Sequence, residues 1–514
     1  MKTKKRKVGI IVAIVFIVVV LLGALLFDFF YGNNQDKWVA KEVSTAAELQ
    51  KGGTNIKLTN DIDFGGEVFE AIEVNNFDGG GYTISNAIIT SSQLLTAASF
   101  FSCVGGTVQN VTFKNITVSA EDVPYAAVVL AYPTQYSSFG TVDEIIFNNV
   151  HVIDCTITLQ QNGNEATTYV GGILGSGTAV RQSSTDNSFW HKSDDMKKII
   201  RNSSVQNLQM TVNGFDPESD GTYVIGEDIY VGGLSGSADE ITNCKVTDCN
   251  ISVTSYQRFS DPYVGGAVGL LSNSGESFGC IIKGNILNVR ASNYRHVSLT
   301  NQYETSTIYL GGLFGASGSD GNISYCNIDS NSFSAYCAGA YYLGGIGGSV
   351  SKNISQSRVV NNTFNGVGLL DGEDKYGDPW TRNIGGISAS SAVVTFSSSF
   401  TYGNTMKTIL SLDPGESSDP TGSAVGFSKT NQSAIFINCA TGINELEAGT
   451  TDEFATAALE NITQCYVTQD IYGNEQQLTI INESDWLSQD SIVSLLKLSG
   501  DLWQFRSGAL PDIQ

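Results

Sequence analysis

The sequence predicts an all-β solenoid, one long body of stacked coils, and three observations predict it. First, a glycine-rich hexapeptide recurs: VGGILG at Val170 to Gly175, VGGLSG at Val231 to Gly236, VGGAVG at Val264 to Gly269, LGGLFG at Leu310 to Gly315, LGGIGG at Leu343 to Gly348 and IGGISA at Ile384 to Ala389. Recurrence at tens of residues marks repeat architectures. Second, nearly every copy is followed by a segment in which residues two apart are apolar, as in Cys244 and Val246, Cys280 and Ile282, or Cys326 and Ile328. Residues two apart share one face of a strand. Third, the 514 residues include 55 Gly and only 8 Pro, and 15% are charged, a composition suited to short strands and tight turns.

The simplest coil that satisfies these patterns has three short strands per repeat. Successive coils pair in parallel ~4.8 Å apart, and equivalent residues stack into inward ladders. On this reading the fold is a parallel β-helix, and Val231 to Gly236 is one strand of a coil. Val111 and Phe113, Cys155 and Ile157, Leu208 and Met210, Phe400 and Tyr402, and Cys465 and Val467 join the inward face.

Residues 1–7 form a basic tail with Lys2, Lys4, Lys5, Arg6 and Lys7, and residues 8–27 are uncharged and apolar. That run has the ~20 residues needed to cross a bilayer as a helix, and the cations hold its N-terminal side in the cytoplasm. A single-pass transmembrane signal-anchor in the cell membrane is expected, with a cleaved signal peptide as the alternative. Either puts everything after a stalk at 28–40 outside the cell. Residues 41–100 read as an N-terminal cap and the first strands: a short helix from Ser44, its N-cap, to Gln50, then alternating segments at Asn55 to Phe64 and Phe77 to Ser85. Residues 101–480 carry the repeats, interrupted by polar inserts of unequal length, which in solenoids lie outside and often on one face. Residues 481–514 read as a C-terminal cap, with a helix at Ser491 to Leu498 and Trp503 closing the last apolar layer.

A net charge of -23 disfavours nucleic acid, whose binding is carried by Lys and Arg on phosphates. It also repels anionic polysaccharide unless a cation bridges the two.

The pattern Gly-Leu-(hydrophobic)-Gly, approximated by Gly233 to Gly236 and Gly312 to Gly315, resembles the GLUG-motif repeat proteins. The strands at Ile56 to Asp63 and Phe77 to Ile84 and the closing stretch Trp503 to Pro511 resemble the flanks of such bacterial surface proteins. The resemblance covers most of the chain and implies a right-handed, single-stranded parallel β-helix of the pectate-lyase-like kind, associated with adhesion. Some relatives join such repeats to zinc peptidases that cleave immunoglobulin A.

The peptidase chemistry needs His-Glu-x-x-His, and the sequence has none: His151, His191 and His296 are isolated. Nine cysteines in an exported chain suggest disulfides. However, stacked in-register positions keep Cβ atoms nearer ~4.8 Å than the ~3.8 Å a disulfide prefers. Buried free thiols are therefore expected, with Cys103, Cys249 and Cys337 off the ladder. Carboxylates cluster at Asp371, Glu373, Asp374 and Asp378, and at Asp216, Glu218 and Asp220 with Glu227 and Asp228 following. Acids alternating with Gly can wrap Ca²⁺, which makes the first cluster a calcium candidate; no other cofactor is expected. Insert aromatics such as Trp190, Tyr376 and Trp380 are candidate ligand contacts, because aromatic faces stack on sugars and anchor protein partners. The sequence thus points to a binding or adhesion protein without catalytic activity, recognising a host or matrix protein or a glycan. The alternative is a polysaccharide lyase or glycoside hydrolase using insert carboxylates.

Overall fold

The structure, a computed structural model, describes residues 39–91, 97–133, 136–137, 140–161, 166–176, 196–214, 227–255, 260–291, 306–368, 381–391, 394–410, 419–420, 422–429, 434–452, 454, 462–468, 478–498, 502–506 and 509–513. The expected membrane segment at 8–27 lies outside them. Among the described residues no helix is long and apolar enough to cross a membrane. The chain divides into two units, residues 1–41 and 42–514.

The second unit is a stack of parallel coils in three sheets of 27, 11 and 10 strands. One coil shows the plan. Asn250–Ser255 lies in the second sheet, Pro262–Gly265 in the third, Val268–Phe278 and Ile281–Lys283 in the first, and Ile286–Ala291 returns to the second, one coil along. Each pairs in parallel with its equivalent in the preceding coil, for example Val264 on Val231 and Ile282 on Val246. The fold is therefore a parallel β-helix, but with four strand segments per coil instead of three.

The extra segment arises because the first sheet is bent. Asn202, Asn243, Gly279, Tyr325, Gln356, Ser398 and Asn438 all adopt positive φ at the bend within that sheet. Asn207, Asp248, Gly284, Ser330, Asn361 and Gly403 do the same at the next corner. Asn, Asp and Gly tolerate this left-handed region best, which accounts for the abundance of Asn and Gly.

The hexapeptide is a corner, not a strand. Ile229–Gly232 ends a strand of the third sheet and Ser235–Thr242 begins one of the first, so Gly233 and Leu234 make the bend. A Cβ on Gly233 would lie 2.3 Å from the Gly266 carbonyl oxygen and 2.7 Å from Val246 Cγ1. Successive coils touch backbone to backbone here, and the glycines are fixed by that approach.

Two inward columns replace the single expected ladder. In one, Cys244, Cys280 and Cys326 stack, followed by Ser357 and Ser399, whose hydroxyls accept from the amides of Cys326 at 3.2 Å and Ser357 at 3.1 Å. In the other, Cys155, Leu208 and Cys249 are followed by Asn285, Asn331, Asn362, Asn404 and Asn444. Cys249 is thus on a ladder after all. All nine cysteines are buried, and none forms a disulfide. The asparagines form a continuous chain, each Nδ2 donating to the next Oδ1 at 2.9, 3.0, 3.1 and 3.1 Å. Phe400 and Tyr402 do not point inward, because Val359 stacks on Thr401.

At the N-terminal end the helix spans Ala46–Leu49 and its N-cap is Thr45, not Ser44. Thr45 Oγ1 accepts from the Glu48 amide, while Ser44 donates its N–H and hydroxyl to the Glu48 carboxylate at 2.9 and 3.1 Å. Leu49 is fully buried in the main core.

At the C-terminal end two helices occur, Glu483–Trp486 and Gln489–Leu496, the second ending earlier than expected at Lys497, which has φ 53°. Their apolar residues do not close the last inner layer. Trp486, Ile492, Leu496, Trp503 and Ile513 form a separate cluster with Val360, Phe400 and Ala440, outward residues of the first sheet. The C-terminal segment folds back along the flank of the coils.

Candidate functional site

The outer face of the third sheet carries a column of tyrosines, Tyr125, Tyr169, Tyr230, Tyr263, Tyr309 and Tyr342, all but the first just before a Gly-Gly corner. Parallel register puts one per coil. Ring centroids are 5.8, 5.0, 4.9, 4.8 and 5.2 Å apart, with planes within 17° of parallel. The ring faces are therefore occupied by one another. What remains for a partner is a row of ring edges and hydroxyls, a hydrogen-bonding strip.

Two residues upstream on the same face, Asp228 and Asp261 stack as register neighbours, one coil apart. Tyr230 donates its hydroxyl to Asp228 Oδ2 at 3.1 Å, and the Asp261 amide donates to Asp228 Oδ1 at 3.2 Å. Asp261 in turn accepts from the Thr307 amide at 2.6 Å. Burial raises both carboxyls, Asp261 to about 6, against the backbone hydrogen bonds that lower them. Burial, followed by the nearby carboxylates, also pushes the phenols of Tyr230, Tyr263 and Tyr309 well above the ordinary tyrosine range. At neutral pH the strip presents protonated hydroxyls beside two carboxyl groups.

Four inserts are flanked by strands that meet beside this strip. Residues 215–226, 256–259, 292–305 and 369–380 each join a strand of the second sheet to the next strand of the third. Four interruptions of the repeat thus fall at one corner, while the longest, residues 177–195, lies between a strand of the third sheet and a strand of the first. Trp190, Tyr376, Trp380, Asp216, Glu218, Asp220 and the calcium candidates Asp371, Glu373, Asp374 and Asp378 lie outside the described residues. So do His191 and His296. Of the predicted acids, Glu227 accepts from the Thr167 hydroxyl at 3.3 Å on the exposed surface, and Asp228 joins the pair above. Sequence reasoning missed Asp261 and the tyrosine column, although a tyrosine directly precedes five of the six hexapeptides. Among the described residues no cluster of three or more His, Cys, Asp or Glu is placed to hold a metal ion.

No family model matches the chain, and no curated protein does. Three solved structures are similar. A protein provisionally assigned as an immunoglobulin A1 protease from Bacteroides ovatus aligns over 93% of both chains at 12% identity, with a TM-score of 0.32. The A-module of a mannuronan C-5 epimerase from Azotobacter vinelandii aligns over 80% of this chain and 92% of its own at 11% identity, with a TM-score of 0.23. Tailspike protein 3 of bacteriophage CBA120 aligns over 89% of this chain and 61% of its own at 12% identity, with a TM-score of 0.21. Likenesses this distant transfer no activity.

Proposed function

We propose that this chain is a GLUG-type, right-handed β-helix displayed on a cell surface by its N-terminal apolar segment. It binds a host or matrix protein or a glycan through the outer face of the third sheet. The observation that carries the reading is the tyrosine column, which aligns hydroxyls at one-coil steps beside the corner where four of the inserts begin and end. A periodic strip of donors and acceptors suits a periodic or extended partner. The acidic surface favours a neutral or basic one. The test is an array of glycans, mucins and matrix proteins probed with the full-length protein and with the triple variant Tyr230→Phe, Tyr263→Phe, Tyr309→Phe. That variant keeps the ring stack and removes three hydroxyls. Saturable binding weakened at least tenfold by the variant supports the reading. An empty array, or equal binding by both proteins, overturns it.

A second reading, a polysaccharide lyase or hydrolase, is favoured by Asp228 and Asp261. Register partners sit ~4.8 Å apart, close to the ~5 to 5.5 Å of a retaining carboxylate pair, and burial pushes the Asp261 carboxyl up to about 6. New reducing ends or unsaturated products from a polysaccharide panel, lost in Asp261→Asn, would favour it over pure binding.

A further inference from the structure

The outer wall of the first sheet holds a second arrangement, remote in register from the tyrosine column. In one outward column Thr112, His151, Ser204 and Lys245 occupy the same position in four successive coils. His151 Nδ1 lies 2.8 Å from Ser204 Oγ, and His151 Nε2 lies 3.0 Å from Asn149 Oδ1. The hydrogen bonds fix the tautomer. Asn149 Nδ2 donates to Asn110 Oδ1 at 3.0 Å, so its Oδ1 faces the imidazole and accepts from Nε2–H. Nδ1 is then the bare nitrogen, and Ser204 must donate its O–H to it. Burial lowers the His151 pKa, which keeps the ring neutral and able to take a proton.

We propose that Ser204, His151 and Asn149 form an acyl-transfer site acting on carboxylic esters, with Ser204 as nucleophile, His151 as general base and Asn149 orienting the ring. A nucleophile bonded to a base that is itself held by a third group is the geometry such chemistry requires. As Ser204 Oγ bonds to the ester carbonyl carbon, its proton passes to His151 Nδ1. Collapse of the tetrahedral adduct breaks the carbon–alkoxide bond, and the alkoxide leaves with that proton as an alcohol. Water, deprotonated by the same nitrogen, then releases the carboxylic acid and restores Ser204. The exposed ammonium of Lys245, next in the column, supplies positive charge toward the developing oxyanion. The open wall suits an ester carried on a polymer better than one enclosed in a pocket. The site does not depend on the binding reading above.

The test has two parts on the full-length protein. A fluorophosphonate probe should label Ser204, located by peptide mapping, and p-nitrophenyl acetate should be hydrolysed at a rate that rises as His151 loses its proton, at a pH below the ordinary histidine range. His151→Gln should cut both labelling and hydrolysis about 100-fold, the lower end of what a general base contributes. Ser204→Ala should abolish both with an unchanged melting temperature, since the side chain projects outward. No preferential labelling of Ser204, or a rate unaffected by Ser204→Ala, overturns the proposal.

Discussion

Asp512 Oδ1 lies 2.5 Å from the guanidinium of Arg358, 154 residues earlier, and fastens the C-terminal segment to the flank of the coils. Arg358 is buried, with Asp329 as a second, longer partner at 3.9 Å. Asp512 also accepts from Asn327 at 3.0 Å, while Trp503 Nε1 donates to Gln356 at 2.9 Å. The segment thereby bridges several coils and covers Val360, Phe400 and Ala440, which would otherwise be an apolar patch on a solvent-facing wall.

Removing that clasp should loosen the segment without unwinding the stack. Because Asp512 is partly solvated, Asp512→Ala is expected to cost about 1–3 kcal/mol, below the ~3–5 kcal/mol of a fully buried pair. Limited proteolysis should then cut between residues 481 and 513 faster, with protection of the coils in hydrogen exchange retained.

The asparagine column predicts a larger and less local effect. Asn331 Nδ2 donates to the Ile282 carbonyl at 2.9 Å and to Asn362 Oδ1 at 3.0 Å, and its Oδ1 accepts from the amide and side chain of Asn285. Asn331→Leu leaves several buried groups unpaired, at ~1–3 kcal/mol each. A loss of about 3–6 kcal/mol is expected in urea unfolding, against less than about 0.5 kcal/mol for an exposed surface position.

Gly266 tests the corner. A Cβ there would meet the Gly312 carbonyl oxygen at 2.2 Å and Ile282 Cγ2 at 2.6 Å, so Gly266→Ala must push two coils apart. Overpacking of ~1–3 kcal/mol or more follows. A lowered melting temperature checks it, and an unchanged one would mean the corner is looser than its contacts require.

Lys352 gives the chain a pH dependence. Its side chain is 1% exposed, and Nζ donates to the carbonyls of Asn273, at 2.8 Å, and Asp320. Burial lowers its pKa to about 8 from 10.5, partly offset by the charges of Asp320 and Glu276. Between those two values the unfolded chain binds more protons than the folded one, so this group's contribution to stability rises with pH across that window. Across pH 8 to 10.5 the denaturant midpoint of the wild type should gain relative to that of Lys352→Met, and a difference that stays constant with pH would contradict the assignment.

The register of a solenoid is written locally, and that is why so much of the fold was legible. Glycine pairs at Gly232 and Gly233 or Gly265 and Gly266, and alternating apolar residues at Cys244 and Val246, repeat from coil to coil because each coil meets nearly the same neighbours. Other assignments failed by a single position or a single corner. Thr401, not Phe400, continues the Val359 column, a shift that reverses which face a residue occupies. The hexapeptide joins two strands because its glycines answer to the adjacent coil's backbone, a contact that no window of sequence contains.

By itself the sequence determined that the chain stacks as parallel coils and that its cysteines remain buried thiols. The tertiary structure alone decided which distant residues meet: Asp228 with Asp261, Ser204 with His151, and Asp512 with Arg358. Local alternation specifies which way a side chain points. The length of the intervening coil specifies whom it faces, and that sum over bends, bulges and inserts is fixed only when the coils close.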